Sequence, residues 1–136
     1  MKQEDKDLLL RDLCARLPYG VKMNHIADDE QNPKTLIGID RDYVSLQSTA
    51  GYSYVPVEDY KPYLFPLSSM TEEQKKEYNH WKHEVPVCHY EYGDVVEEVE
   101  LFDSPESFKY LIENHFDYHG LIPMGLAIDC TNLNIY

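Results

Sequence analysis

A run of acidic residues alternating with aliphatic ones, at residues 91–106, constrains the fold of this chain more than any other segment. It reads EYGDVVEEVELFDSPE and holds seven carboxylates, four valines or leucines, and no lysine or arginine. Side chains that alternate in this way suit a β-strand with one apolar face and one charged face. The segment therefore predicts a strand with an acidic surface.

This strand has a partner in the preceding residues. Two alternating runs, 85–92 and 95–102, flank the dipeptide Gly93-Asp94, which suits a two-residue hairpin turn. One face of this hairpin, which we expect to be core, carries Cys88, Tyr90, Tyr92, Val95, Val99 and Leu101. The other face, which we expect to be mixed but acidic, carries Val87, His89, Glu91, Val96, Glu98 and Glu100. The carboxylates that form the candidate interaction face are Glu91, Glu97, Glu98, Glu100 and Asp103.

The charge of the whole chain has the same sign as this segment. With 25 acidic and 12 basic residues, the formal net charge is −13. Such a field repels nucleic acids and anionic lipid headgroups, and it attracts basic protein surfaces. We therefore expect a protein partner with a basic surface, no direct nucleic acid binding and no membrane. The alternative is that the charge only keeps a small domain in solution.

Length and cysteine usage limit the class of protein. At 136 residues the chain matches one domain, so we predict a single α+β domain over 1–136. The three cysteines, Cys14, Cys88 and Cys130, include no close pair, and no signal peptide or long apolar run is present. These features predict a cytoplasmic protein with reduced thiols.

The first half of the chain predicts a helix followed by a small sheet. Residues 4–17 place Leu9, Leu10, Leu13, Cys14 and Leu17 on one side at helical spacing, and 18–20 stop the helix. Strands are predicted at 21–26, 35–40, 43–47 and 52–57. Residues 61–67 contain Pro62 and Pro66, so we expect them to connect two parts of the fold without pairing fully in a sheet.

The second half predicts two further helices around the hairpin. Thr71 is an N-cap, with Gln74 at the capping-box position of a surface helix that ends at about His80 or His83. Ser104 is an N-cap followed by Pro105 at the first position of a helix that is expected to end near Gly120, and residues 121–128 should pack as a tail. The residues predicted to share one core are Leu9, Leu13, Leu17, Phe108, Leu111 and Ile112.

The predicted fold class is therefore α+β. The predicted parts are an N-terminal helix, a small antiparallel sheet or SH3-sized barrel, a surface helix, an acidic β-hairpin and a C-terminal helix with a packed tail.

Histidines and cysteines give only a weak metal-site pattern. His80, His83, Cys88 and His89 fall within ten residues, and His115 with His119 have the i, i+4 spacing of one helix face. Cys88 and His89 point to opposite sides of a strand, so they can form neither a shared metal site nor a catalytic dyad. No phosphate-binding or nucleophile motif is present. We expect a non-enzymatic protein with no cofactor and no metal requirement.

Three segments carry a family resemblance: DLCARLPYGVK at 12–22, KPYLFPLSSMTEEQKKE at 61–77 and ENHFDYHGLIPMGLAID at 113–129. The chain resembles, through them, a family of small uncharacterised proteins found in gut bacteria, their mobile elements and their phages. The resemblance assigns no functional residue to this chain. What it implies is an intracellular protein of a phage or mobile-element setting, where small binders of host machinery are common.

These observations favour a non-catalytic acidic protein-binding module that antagonises a host system. Two alternatives stay open: a nucleic-acid-mimic inhibitor of a DNA- or RNA-binding protein, and a small hydrolase. A mimic needs its carboxylates on one continuous face, whereas a hydrolase needs a cleft with perturbed acids or a bound metal.

Overall fold

The computed structural model describes all residues, 1–136, and contains three α-helices and eight β-strands. The helices are α1 (Gln3–Arg16), α2 (Glu72–Trp81) and α3 (Pro105–Glu113). The strands are β1 (Lys22–His25), β2 (Lys34–Asp40), β3 (Tyr43–Ser48), β4 (Gly51–Pro56), β5 (Tyr60–Leu64), β6 (His83–Glu91), β7 (Asp94–Phe102) and β8 (Ile128–Asp129). The predicted α+β class is confirmed. None of the helices combines the length and the apolar character that crossing a bilayer requires.

The chain divides into two compact units. One comprises Met1–Ser69 with Ile112–Tyr136, and the other comprises Met70–Leu111. The first unit contains a six-stranded sheet in the order β4-β3-β2-β1-β5-β8, and the second contains α2 and the hairpin β6-β7. The single domain over 1–136 stays a prediction.

The four strands predicted in the first half are confirmed, but the sheet is larger and mixed. Strands β1 to β4 pair in sequence as an antiparallel meander. Strand β5 adds to the free side of β1 in an antiparallel sense, and β8 adds to β5 in a parallel sense. The sheet therefore has six strands, where the sequence predicted a small antiparallel sheet or barrel.

Strand β5 corrects the expectation that residues 61–67 only connect two parts of the fold. Ile26 donates its N–H to the carbonyl of Asp59, so these two residues form a hydrogen-bonded pair. Bonded and non-bonded pairs alternate along an antiparallel ladder, and Pro62, three positions after Asp59, belongs to a non-bonded pair. The backbone nitrogen of Pro62 therefore faces away from β1. On the other side of β5, the pairing with β8 begins only at Tyr63. The missing N–H of Pro62 therefore removes no hydrogen bond from either ladder.

Helix α1 directs most of the predicted face inward, since Leu9 and Leu13 are buried and Leu10 and Leu17 pack against the core. Its buried side chains are Leu9, Asp12, Leu13 and Arg16, whereas Cys14 is exposed. These four residues also have helical spacing, so a charged pair takes the positions next to the leucines. Leu9 and Leu13 belong to the main core, against which Leu17 packs. The other residues of that core are Val21, Met23, Leu36, Val44, Leu46, Val57, Tyr60, Leu64, Leu121, Leu126 and Ala127.

Helix α3 begins at Pro105 as predicted but ends at Glu113, before the expected Gly120. His115 is left-handed, with φ of 63°, and the following residue forms a parallel bridge with Phe65. Because Phe65 donates to the carbonyl of His115 at 2.8 Å and accepts from the N–H of Asp117 at 2.8 Å, this pairing replaces further helical bonds. His115 and His119 consequently do not share a helix face.

The remaining core predictions have mixed outcomes. Leu111 and Ile112 are buried at the end of α3, whereas Phe108 is half-buried. That these residues share one core with Leu9 and Leu13 stays a prediction. The predicted packed tail is confirmed, since Leu121, Leu126 and Ala127 lie in the main core.

Candidate functional site

The hairpin turn consists of Tyr92 and Gly93, one residue earlier than the predicted Gly93-Asp94. Both residues have positive φ, 51° and 86°, as a type I′ turn requires. Glu91 and Asp94 are paired directly across this turn. Moving a turn by one residue shifts the pairing by two positions and leaves every side chain on its original face. The predicted division of residues between the two faces is therefore unchanged.

One side of the hairpin is an apolar surface that we call the valine face, defined by Tyr90, Val95, Val99 and Leu101. The sequence predicted that this side would be core, and that prediction is wrong. The four side chains are 81, 58, 64 and 44 % exposed. The hairpin sheet has only two strands, so these side chains have few neighbours within the sheet. Glu84, Pro86, Cys88 and Glu97 lie on the same side.

The opposite side carries most of the charge, and we call it the carboxylate face, defined by Glu91, Asp94, Glu98 and Glu100. Glu91 lies directly opposite Asp94, and Glu98 and Glu100 are separated by one residue along β7. Like charges at such spacings repel one another. The imidazole Nε2 of His89 lies 3.9 Å from the Glu91 carboxylate, and neither strand contains lysine or arginine. The hairpin therefore supplies little positive charge of its own.

The structure divides the five predicted interaction residues. Glu91, Glu98 and Glu100 lie together on the carboxylate face, whereas Glu97 lies on the valine face opposite Cys88. Asp103 follows the end of β7, where its Oδ1 accepts hydrogen bonds from the hydroxyls of Tyr78 and Ser107. Asp103 thus helps to hold the base of the hairpin.

The base of the hairpin is closed by hydrogen bonds between the segments on either side of it. The hydroxyl of Ser104 donates to the carbonyl of Trp81 and accepts the N–H of Ser107 at 3.0 Å, as the predicted N-cap of α3. The Tyr110 hydroxyl donates to Glu77 of α2 at 2.9 Å. Burial and this hydrogen bond raise the pKa of Tyr110 to about 12. These bonds keep the two strands together where they leave the helices.

Helix α2 has the predicted capping box. The N–H of Gln74 donates to the Thr71 hydroxyl at 3.2 Å, and the Gln74 side chain accepts from the N–H of Thr71 at 2.9 Å. None of its side chains is buried, so the prediction of a surface helix is confirmed. The Lys82 ammonium that follows it lies 4.3 Å from the centre of the Tyr78 ring.

A second polar cluster, which sequence reasoning missed, lies inside the first unit. Asp12 accepts a hydrogen bond of 2.5 Å from Nε of Arg16, and its other oxygen lies 2.8 Å from Nδ1 of His119. Arg16 also donates to the carbonyl of Phe116 at 2.7 Å. The i, i+4 spacing of Asp12 and Arg16 was a possible signal for their pairing. His119 is 107 positions from Asp12, and no local pattern indicates that contact.

His115 lies close to this cluster but makes different contacts. Its ring stacks on Tyr136 with centroids 3.6 Å apart. Burial, followed by the positive charges of Arg16 and Lys22, lowers the pKa of His115 to about 4. A neutral imidazole stacked on an aromatic ring is typical of a packing contact.

The other predicted metal-binding residues are separated by the fold. Cys88 and His89 lie on opposite faces of β6, and His80 lies in α2. No group of three or more His, Cys, Asp or Glu side chains is placed to hold a metal ion.

Comparison of this chain with protein-family models, with curated proteins and with solved structures gives no match.

Proposed function

We propose that this chain is a non-catalytic protein-binding module, and that the hairpin β6-β7 contacts a partner protein with a basic surface. The observation that carries the proposal is the valine face. Four large apolar side chains are exposed on this face, which they share with Glu84 and Glu97, and monomeric proteins rarely leave large apolar surfaces uncovered. Tyr90 and Tyr92 at the tip have the residue type that is enriched at protein interfaces.

The charge of the hairpin indicates the kind of partner. The four residues of the carboxylate face repel one another, and the hairpin contains no lysine or arginine that would compensate them. A basic partner surface would neutralise them on binding and would increase the rate of association. The resemblance to proteins of phages and mobile elements supports a host protein as the partner and antagonism as the role.

The two alternatives receive less support. A nucleic-acid mimic needs a continuous carboxylate surface, yet the carboxylates of the hairpin are divided between its two faces, and each face also carries apolar side chains. A hydrolase would have to use the pair of Asp12 and His119, whose carboxylate is fully buried and whose imidazole is only 22 % exposed, because the ring of His115 is stacked on Tyr136.

The test is capture of host proteins from a gut-bacterial lysate by three matched versions of the chain. They are the parent, a hairpin variant (Tyr90→Ser with Val99→Thr), and a control variant (Tyr52→Ser), whose tyrosine is also exposed but lies in β4. We expect a partner that the parent and the control retain and the hairpin variant loses. That partner is then purified and its affinity is measured directly. Equal affinity for all three versions would contradict the proposal.

A further inference from the structure

The backbone pattern of the hairpin shows which groups point outward from each strand. Glu91 and Asp94 are paired across a two-residue turn, so they exchange hydrogen bonds, and bonded pairs then recur at every second position. The residues between them direct their N–H and C=O groups away from the hairpin. On β6 these residues are Glu84, Pro86, Cys88 and Tyr90, and on β7 they are Val95, Glu97, Val99 and Leu101.

The two edges of the hairpin therefore differ. Pro86 occupies an outward position, so the edge of β6 lacks a donor at its centre, as on edge strands protected from further pairing. The edge of β7 keeps every outward N–H and C=O group, and no strand pairs with it. The edge of β7 is the one able to accept another strand.

We infer that β7 binds an extended segment of the partner as a third strand, and that this segment alternates basic with apolar residues. The inference rests on the proposed function and names the recognition mode and the class of segment. Side chains of an added strand would alternate between the valine face and the carboxylate face. On the valine face, apolar residues would meet Val95, Val99 and Leu101, with Glu97 between the two valines. On the carboxylate face, lysine or arginine would meet Glu98 and Glu100.

A second copy of the chain fits this edge poorly. Pairing β7 with another β7 would bring Glu98 and Glu100 beside the same residues of the second copy on the carboxylate face. Like charges directly across a ladder are destabilising, and each chain has a net charge of −13. Charge complementarity therefore favours a basic segment.

The test uses synthetic seven-residue peptides and the intact chain. The first peptide alternates lysine and valine, and its matched control contains the same residues in two blocks. We expect the block peptide to bind about tenfold more weakly, since it cannot present each residue type to one face. In the complex, the backbone amides of Val95, Glu97, Val99 and Leu101 should exchange with solvent more slowly. Failure of the alternating peptide to bind, or equal affinity of the two peptides, would overturn the inference.

Two methylated peptides test the hydrogen bonds without changing the protein. One has N-methyl groups on its valines and the other has them on its lysines. In an added strand only every second N–H faces β7, so we expect one methylated peptide to bind about tenfold more weakly and the other to bind like the parent. The identity of the more weakly binding peptide also shows the direction of the added strand. Valine N–H groups face β7 if the added strand is antiparallel to it, and lysine N–H groups face β7 if the strand is parallel. Equal affinities of the two methylated peptides would contradict strand addition.

Substitutions in the chain provide a matched pair of edge variants. Val99→Pro removes an outward donor from β7, and Cys88→Pro removes one from β6, where Pro86 already does so. We expect Val99→Pro to weaken peptide binding about tenfold and Cys88→Pro to leave it unchanged, after amide spectra have shown that both hairpins remain paired. A dimer of the parent chain that Val99→Pro abolishes would assign the edge to a second copy and overturn the inference.

The same variants separate this inference from the proposed function. If the captured partner is lost by the variant Tyr90→Ser with Val99→Thr but retained by Val99→Pro, the hairpin binds through its faces and only strand addition fails. If the captured partner is retained by all of these variants, the hairpin is not the binding element.

Discussion

Asp12 and Arg16, one helical turn apart in α1, form a hydrogen bond of 2.5 Å although neither side chain is exposed. The second oxygen of Asp12 contacts His119, and Arg16 donates to the carbonyl of Phe116. The pair therefore links the first helix of the chain to the segment that follows α3. The burial of each charged side chain depends on its partner, since an unpaired ion in the core is strongly unfavourable.

Replacement of Arg16 alone should destabilise the first unit. Arg16→Met would leave the Asp12 carboxylate buried without its cation, and we expect a loss of about 3 to 5 kcal/mol in the free energy of unfolding. The double variant Asp12→Leu with Arg16→Met removes both charges and should recover most of that loss. Urea denaturation measures all three chains. A single variant as stable as the parent would contradict the buried pairing.

The low pKa of His115 predicts a dependence of stability on pH. The folded value is about 4 against 6.5 for an ordinary histidine, so between these pH values only the unfolded chain takes up a proton here. The contribution of His115 to stability is therefore complete above pH 6.5 and decreases as the pH falls to 4.

A substitution isolates this effect from the titration of carboxylates. His115→Asn removes the titrating ring, and asparagine tolerates the left-handed backbone at this position, where φ is 63°. Stability is measured by urea denaturation at a series of pH values. The variant should lose less stability than the parent between pH 6.5 and 4. Identical slopes for the two chains would show that the pKa of His115 is the same in the folded and the unfolded chain.

The turn residue Tyr92 should be a site of stabilisation. Its side chain is almost fully exposed and its φ is 51°, a conformation that asparagine adopts more easily than tyrosine. Tyr92→Asn should stabilise the hairpin by about 0.5 to 1 kcal/mol, whereas the β-branched Tyr92→Val should destabilise it. Hydrogen exchange of the Glu91 and Asp94 amides measures hairpin opening. Faster exchange in the asparagine variant would count against a type I′ turn.

Leu13 should be essential to the core of the first unit. The side chain is fully buried, and its truncation to alanine should cost about 2 to 5 kcal/mol. Leu67→Ala is the matched control, because that leucine is exposed and should contribute little. Thermal unfolding of both variants gives the comparison, and a Leu13→Ala chain that melts like the parent would refute the packing of α1 on the sheet.

The carboxylate face should control the salt dependence of partner binding. Replacing Glu91, Glu98 and Glu100 by glutamine should weaken association and reduce its sensitivity to salt, since exposed charges are screened over about 8 Å at physiological ionic strength. The control removes the same amount of charge elsewhere, by Asp29→Asn, Glu30→Gln and Glu73→Gln, all at exposed positions. Equal affinities and salt slopes for the two triple variants would leave the hairpin carboxylates with a role in solubility alone.

Local sequence signals predicted the elements whose stabilising contacts are themselves local. The Thr71 capping box and the Ser104 N-cap depend on residues three positions away, and both are present. The faces of the hairpin followed from alternation alone, which is insensitive to the position of the turn. Glu91, Glu98 and Glu100 therefore lie on the face that alternation predicted, and their role in binding stays a prediction.

Features that depend on distant residues could not be predicted in the same way. The exposure of Val99 depends on whether another part of the chain packs on its face, and alternation does not report this. The end of α3 at Glu113 is determined by the pairing of Phe65 with Phe116. The burial of Arg16 depends on contacts with Phe116 and with Asp12, of which only the second is local.

The bridge between Phe65 and Phe116 makes the segment that bears the hairpin an insertion. The chain leaves the six-stranded sheet after Phe65 and returns to it at Phe116, so β8 reaches β5 only after the whole hairpin has been synthesised. The first 69 residues consequently emerge from the ribosome without the strand and leucines that complete their core.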